Sequence, residues 1–383
     1  MISAFIAKIL TVLMSLMITI GSVFGAFEKP TTKEPENYYD ENIKNVIYLI
    51  GDGMGFNHLE KTKNEKNISL VMDSFDIKGA SMTRSFSNKV TDSAAGGTAL
   101  ATGVRTTNGV IGAYPLDVCS GICYPKSITE LCIEKGMMTG VITTDETSGA
   151  TPASFSAHSM SRNNTKEITN DQLTSDIDII WGAENGYVTK EKAEENGFQY
   201  VETYGQMMAL KEGSRSFAQF ENDMWRLAPA NKSTPNLEQM AVKAVDLLDD
   251  TDEGFFLMIE GAHIDKHSHN NDSEKMTESV MEFDRTIKAM LEYAKADGET
   301  LVIVTADHET GGIVLNGDSF EFTKDDHTAA NVPVLVYGTD KLIKSDEVLN
   351  NYEIPIRIAY ILGENEDTFP VSVMTRDVRK KAG

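Results

Sequence analysis

Five short, continuous runs of apolar and β-branched residues constrain this chain more than any other feature. They are Asn45 to Ile50, Met138 to Thr143, Phe255 to Ile259, Thr300 to Thr305 and Val332 to Tyr337. Runs without polar alternation suit strands buried on both faces, and such strands belong to parallel sheets covered by helices. The intervening segments supply those helices. Leu237, Ala241, Ala244, Val245 and Leu248 recur at helical spacing, as do Val280, Phe283, Ile287, Leu291 and Ala294. This alternation predicts an α/β fold: a doubly wound, mostly parallel central sheet with helices on both faces. The stretch from Asn163 to Pro235 is polar, rich in Asn, Glu and Gly, and shows no strong strand signal. It reads as an insertion that covers a site or forms a contact surface. Asn351 to Leu362 reads as a docking helix, followed by a short basic end. With 383 residues and 41% hydrophobic content, a large core is within reach. Residues 45–383 are therefore expected to form a single α/β domain, with the insertion at about 163–235.

The beginning of the chain has a different character. Lys8 precedes an unbroken apolar run, Ile9 to Ile20, and small residues cluster around Gly21, Ser22, Gly25 and Ala26. That order matches a signal peptide over residues 1–26, with an arm over 27–44 after it. The alternative is an uncleaved anchor, because Ile9 to Phe24 is nearly long enough to span a bilayer. Both readings put the body outside the cytoplasm, whether secreted, periplasmic or at the cell surface. Membrane association is expected only if the segment is left uncleaved. In an oxidising compartment Cys119 and Cys123 are spaced to close a small loop, and Cys132 reads as a buried free thiol. The formal charge of −23, from 35 basic and 58 acidic residues, excludes the basic face of a nucleic-acid binder.

Acids and histidines fall where the strands end. Asp52 follows the first run by two residues and Thr151 comes after the second. Glu260 closes the third, and Asp307 with His308 the fourth. In an open parallel sheet, ligands bind beyond the carboxyl ends of the strands. A single acid there is usually a helix cap; four strand ends converging are not explained by capping. Five of the seven histidines lie between His263 and His327, the densest stretch being E-G-A-H-I-D-K-H-S-H from Glu260 to His269. If that stretch is helical, Asp265 and His269 stand at i and i+4 on one face, and His327 is a candidate third ligand. Nitrogen and oxygen ligands in such a set suit zinc.

Five motifs in order carry a specific resemblance. They are G-D-G-M-G at Gly51 to Gly55, T-D-S-A-A-G-G-T-A at Thr91 to Ala99, and E-G-A-x-I-D-K-x-x-H. T-A-D-H-E-T-G-G at Thr305 to Gly312 and H-T-A-A at His327 to Ala330 complete the series. From Asn45 to Tyr337 the chain resembles the alkaline phosphatases, metal-dependent phosphomonoesterases with a serine nucleophile. The resemblance implies two zinc ions, one on Asp265, His269 and His327 and the other on Asp52, Asp307 and His308. It also implies one magnesium sharing Asp52 with Thr151 and Glu260, an oxygen-only set of the kind that ion prefers. Small phosphate monoesters would be the substrates, and a homodimer the assembly.

By the same resemblance Ser93 is the nucleophile, phosphorylated transiently during two in-line displacements. Read alone, Asp92 or Ser93 is equally the N-cap of a small-residue helix from Ala94 to Ala101, whose free N–H groups would also suit a phosphoryl oxygen. Arg162 matches an arginine that grips two phosphate oxygens, a task for a planar fork. Lys266 matches a lysine that approaches phosphate through water. Gly149 departs from the pattern, since many relatives carry Asp or His there to order waters around magnesium; its absence is expected to loosen those surroundings. His58 and His158 read as structural, His263 and His267 as supporting or surface residues. Two other readings compete: a phosphodiesterase of the same superfamily, and a non-catalytic extracellular zinc-binding protein. Ser93 is followed by Ala-Ala-Gly, unlike the C/S-x-P-x-R of sulfatases.

Overall fold

A computed structural model describes residues 38–114, 123–221 and 233–373. The expected signal segment, the arm up to residue 37, Cys119 and the basic C-terminal end lie outside the described residues. The main sheet has ten strands: β1 (Asn45–Gly51), β2 (Ile77–Met82), β3 (Met138–Glu146), β4 (Ile179–Ala183), β5 (Gln199–Val201), β6 (Ser216–Phe220), β7 (Phe255–Gly261), β8 (Thr300–Thr305), β9 (Val332–Tyr337) and β10 (Val348–Asn350). Their order across the sheet is β10-β2-β9-β8-β1-β7-β3-β4-β6-β5.

Both faces of the central strands β1, β7 and β8 are dry, as their unbroken apolar runs require. On β1, Ile47 and Leu49 point to one side, into a core shared with the helices Leu237–Leu248 and Ser273–Asp297. Val46, Tyr48 and Ile50 point to the other, where Ala99, Leu131 and Ile358 belong to the second core. Each fully buried aliphatic side chain of this kind contributes roughly 1.5–3 kcal/mol. The terminal helix Glu353–Ile361 docks on that second face, as expected from its pattern.

Two expectations are corrected. First, Val332–Tyr337 forms a strand but runs antiparallel to both neighbours, β2 and β8. An apolar run carries no information about direction; the connection decides it. A parallel return needs a crossover, usually helical, whereas β8 leads into short pairings such as Val314–Asn316 with Ser319–Glu321. Second, the stretch 163–235 contains β4, β5 and β6, which extend the sheet at one end. β4 and β5 are short, and β6 is interrupted by buried polar residues that are satisfied internally. Trp181 Nε1 donates to Ser216 Oγ at 3.0 Å, and Gln219 Nε2 to Thr147 Oγ1 at 3.0 Å.

Register brings the strand ends together. Ile50 is level with Glu260 on one side and Thr305 on the other, and Thr143 is level with Glu260. The residues that follow β1, β3, β7 and β8 therefore emerge at one edge. Cys123 is disulfide-bonded and Cys132 is a buried free thiol. Among the described residues no helix is long and apolar enough to cross a membrane.

Candidate active site

The helix Ser93–Thr102 starts at Ser93 and is buried along its whole length, which its Ala, Gly and Thr content permits. Asp92 is the N-cap, its Oδ1 accepting from Ala95 N at 3.0 Å. Ser93 is thereby freed from capping, and its Oγ lies 3.1 Å from His308 Nε2. The same nitrogen is 3.4 Å from Asp52 Oδ1 and 3.2 Å from Asp307 Oδ2.

The protons of this cluster follow from its partners. Thr310 Oγ1 donates to Asp265 Oδ1, so toward His308 Nδ1, 3.2 Å away, it acts as acceptor. His308 then carries its proton on Nδ1 and turns a lone pair from Nε2 toward two carboxylate oxygens. Asp52 Oδ1 and Asp307 Oδ2 are buried and have no hydrogen-bond donor. Three converging acceptors of this kind suit a cation, and a two-carboxylate, one-imidazole set suits zinc. Gly53 makes the approach possible: at φ +73° a Cβ would stand 2.9 Å from the Asp265 Cα. Its N–H donates to Asp307 Oδ1 at 3.2 Å and orients that carboxylate.

A second cluster repeats the logic. Asp265 and His269 lie one turn apart on the helix His263–His269. His327 arrives through the pairing of His327–Thr328 with Glu309–Thr310. His269 Nδ1 donates to Asp325 O at 2.6 Å and His327 Nδ1 to Thr91 O at 2.9 Å. In the neutral rings this leaves both Nε2 atoms as acceptors; they stand 3.1 Å apart, with Asp265 Oδ1 at 3.4 and 3.6 Å. The rings of His308 and His327 stack at 3.6 Å, which joins the two clusters.

Glu260 accepts from the Thr143 hydroxyl. The hydroxyl of Thr151, in the helix Ala150–Ser156, is buried with no hydrogen-bond partner, an oxygen left open to a cation. Burial, then Asp307, Asp265 and Glu260, push the Asp52 carboxyl well above the usual range. Burial, then Asp145, push Glu260 to about 8. Burial also raises Asp307, and burial followed by His327 lowers His308 to about 3. Carboxylates packed this closely oppose one another's ionisation, and divalent cations remove that opposition.

Arg162 Nη1 lies 3.1 Å from Asp92 Oδ2, which also accepts from Gly109 N at 2.9 Å. Asp92 thus caps the helix that Ser93 opens and holds the guanidinium with its other oxygen. The Arg162 side chain keeps 38% of its surface exposed, open to an incoming anion. Lys266 Nζ pairs with Asp145 Oδ1. Sequence reasoning missed Thr143, Asp145 and Thr310; only Thr310, inside A-D-H-E-T-G-G, lay in a motif. His58 is structural as expected, its Nε2 3.0 Å from Ser268 Oγ. His263 Nδ1 lies 3.1 Å from Thr144 Oγ1.

The family model for alkaline phosphatase matches residues 43–179 and 182–353. Alkaline phosphatase 4 of Bacillus subtilis is 34% identical over 335 residues, spanning 82% of this chain and 71% of that protein. The alkaline phosphatase of Escherichia coli is 30% identical, spanning 73% of each. The solved alkaline phosphatase of the Antarctic bacterium TAB5 superposes with a TM-score of 0.73 at 30% identity, covering 85% of this chain and 99% of that one. A mutant of that enzyme was solved with Mg bound in its M3 site.

Proposed function

The chain belongs to the alkaline phosphatase family, and from that premise we propose that it hydrolyses phosphate monoesters through a phosphoserine on Ser93, with two zinc ions and one magnesium. The observation that carries this reading is Ser93 Oγ at 3.1 Å from His308 Nε2, beside the buried, donor-free oxygens of Asp52 and Asp307. Asp52, Asp307 and His308 would hold one zinc, and Asp265, His269 and His327 the other. Asp52, Thr151 and Glu260 would hold magnesium. When bound, such ions lower the pKa of a coordinated hydroxyl or water and neutralise charge on the apical oxygens.

The residues of the chain divide the work. Ser93 Oγ attacks phosphorus; the Oγ–P bond forms as the ester P–O bond breaks, and the alcohol departs with a proton. Water then attacks the same phosphorus, the Oγ–P bond breaks, and inorganic phosphate leaves as Ser93 regains its proton. Arg162, aimed by Asp92, binds the non-bridging oxygens through both displacements. Three divalent ions against Asp52, Glu260, Asp265 and Asp307 sum to +6 − 4 = +2, which with Arg162 suits a phosphate dianion despite the acidic exterior. An extracytoplasmic location belongs to this reading, supported by the Ile9–Ile20 run and the disulfide at Cys123.

The test is hydrolysis of a chromogenic phosphate monoester at alkaline pH by wild type and Ser93→Ala, with acid quenching to trap labelled phosphoprotein. The expected result is turnover and label in wild type only, with turnover lowered more than about 10³-fold by the substitution. Undiminished activity in Ser93→Ala, or preference for a diester, would overturn the reading.

A further inference from the structure

Gly149 stands at the start of the helix Ala150–Ser156 with φ −53°, a conformation open to any residue. Packing, not backbone conformation, crowds the position. A Cβ here would lie 2.7 Å from Asp145 Oδ2, 3.0 Å from the Glu146 carbonyl oxygen and 3.2 Å from the Asp145 Cγ. The Asp145 carboxylate thus fills the space in which a side chain at 149 would begin. Its backbone is held by the same hydroxyl that holds Glu260: Thr143 Oγ1 donates to Glu260 Oε2 and accepts from Asp145 N at 2.8 Å. Its other oxygen pairs with Lys266, next in sequence to Asp265. The charge of Lys266 is felt at Glu260 and Asp52, and that of Asp145 at Glu260.

We propose that Asp145 is a positioning residue for the cation site of Glu260 and Thr151, replacing from β3 the carboxylate that Gly149 does not provide. The inference rests on the magnesium reading given above. Its physical basis is charge balance. An ammonium beside Glu260 and Asp52 opposes a divalent cation, and left unpaired it would turn toward those carboxylates and compete for them. Asp145 neutralises it and adds an oxygen able to order water at the ion. On this proposal the surroundings that Gly149 is expected to loosen are instead held by Asp145.

The experiment measures Mg²⁺ affinity of the zinc-loaded full chain by chelator competition, alongside the unfolding midpoint of the metal-free form. Asp145→Ala and Asp145→Asn are expected to weaken Mg²⁺ binding about 10-fold or more, with the metal-free midpoint unchanged. Gly149→Ala should do the same by displacing the carboxylate. Adding Lys266→Ala to Asp145→Ala should recover most of the loss, which a merely structural role would not predict. Asp145→Asn, which keeps the volume, guards against a folding defect in the alanine variant. Mg²⁺ affinity within twofold of wild type in both Asp145 variants would overturn the proposal. Glu260→Gln separates the two levels: if it also leaves Mg²⁺ binding intact, the magnesium reading of the site fails and this inference with it. If it alone loses the ion, the role of Asp145 fails by itself.

Discussion

The Nε2 atoms of His269 and His327 stand 3.1 Å apart, and in the neutral rings no proton lies between them, because both Nδ1 protons are committed to backbone carbonyls. Two lone pairs facing each other at that distance repel, and Asp265 Oδ1 adds a third acceptor. A cation reverses the sign of every one of these contacts.

Chelation should therefore act on stability as well as on turnover. Removing divalent ions is expected to abolish monoester hydrolysis and lower the unfolding midpoint, and added zinc to restore both. Ligand bound at about 100 times its Kd stabilises by about 2.7 kcal/mol. Calorimetry with and without chelator, on wild type and His269→Ala, checks it; an unmoved wild-type midpoint would refute the arrangement.

Thr310 fixes the tautomer of His308 while donating to Asp265, so one hydroxyl serves both ligand clusters. Thr310→Val should cut zinc affinity roughly 10–100-fold, whereas Thr310→Ser should stay close to wild type. Metal content after dialysis against graded chelator decides between these outcomes.

Arg162 is held at 3.1 Å by Asp92 and offers a planar pair of donors. Arg162→Lys keeps the charge and loses the fork, so kcat/KM for a monoester should fall roughly 10-fold or more. Phosphate should become a correspondingly weaker competitive inhibitor. Equal inhibition constants in the two proteins would remove Arg162 from the phosphate site.

Glu282 lies far in function from this edge but bears on stability at alkaline pH. Its carboxyl is buried at the start of the helix Leu237–Leu248, accepting from Leu237 N at 3.5 Å, and burial raises it to about 7. Between the ordinary value of 4.5 and about 7, the folded chain holds a proton that the unfolded chain has released. Stability contributed by that proton is present below 4.5 and is lost as the pH rises through 7. Glu282→Gln should consequently stabilise by about 3 kcal/mol near pH 8.5 and about 1 kcal/mol near pH 5. Denaturant midpoints at the two pH values measure it, and an equal shift at both would contradict the assignment.

The sequence by itself determined the central architecture and the residue types that gather beside it. Continuous apolar runs from Asn45, Met138, Phe255 and Thr300 can be satisfied only between two helical layers, and acids and histidines beyond those runs must then meet at one edge. Local spacing also determined that Asp265 and His269 share a helix face. The tertiary structure decided the rest, because it depends on contacts between residues far apart in the chain. The direction of Val332–Tyr337 follows from its connection, and β6 tolerates buried Ser216 and Gln219 because they find partners in Trp181 and Thr147. The bare Nε2 of His308 exists because Thr310 is turned toward Asp265. At Gly149 the sequence shows an absence; only packing shows that Asp145, four residues earlier, occupies the space.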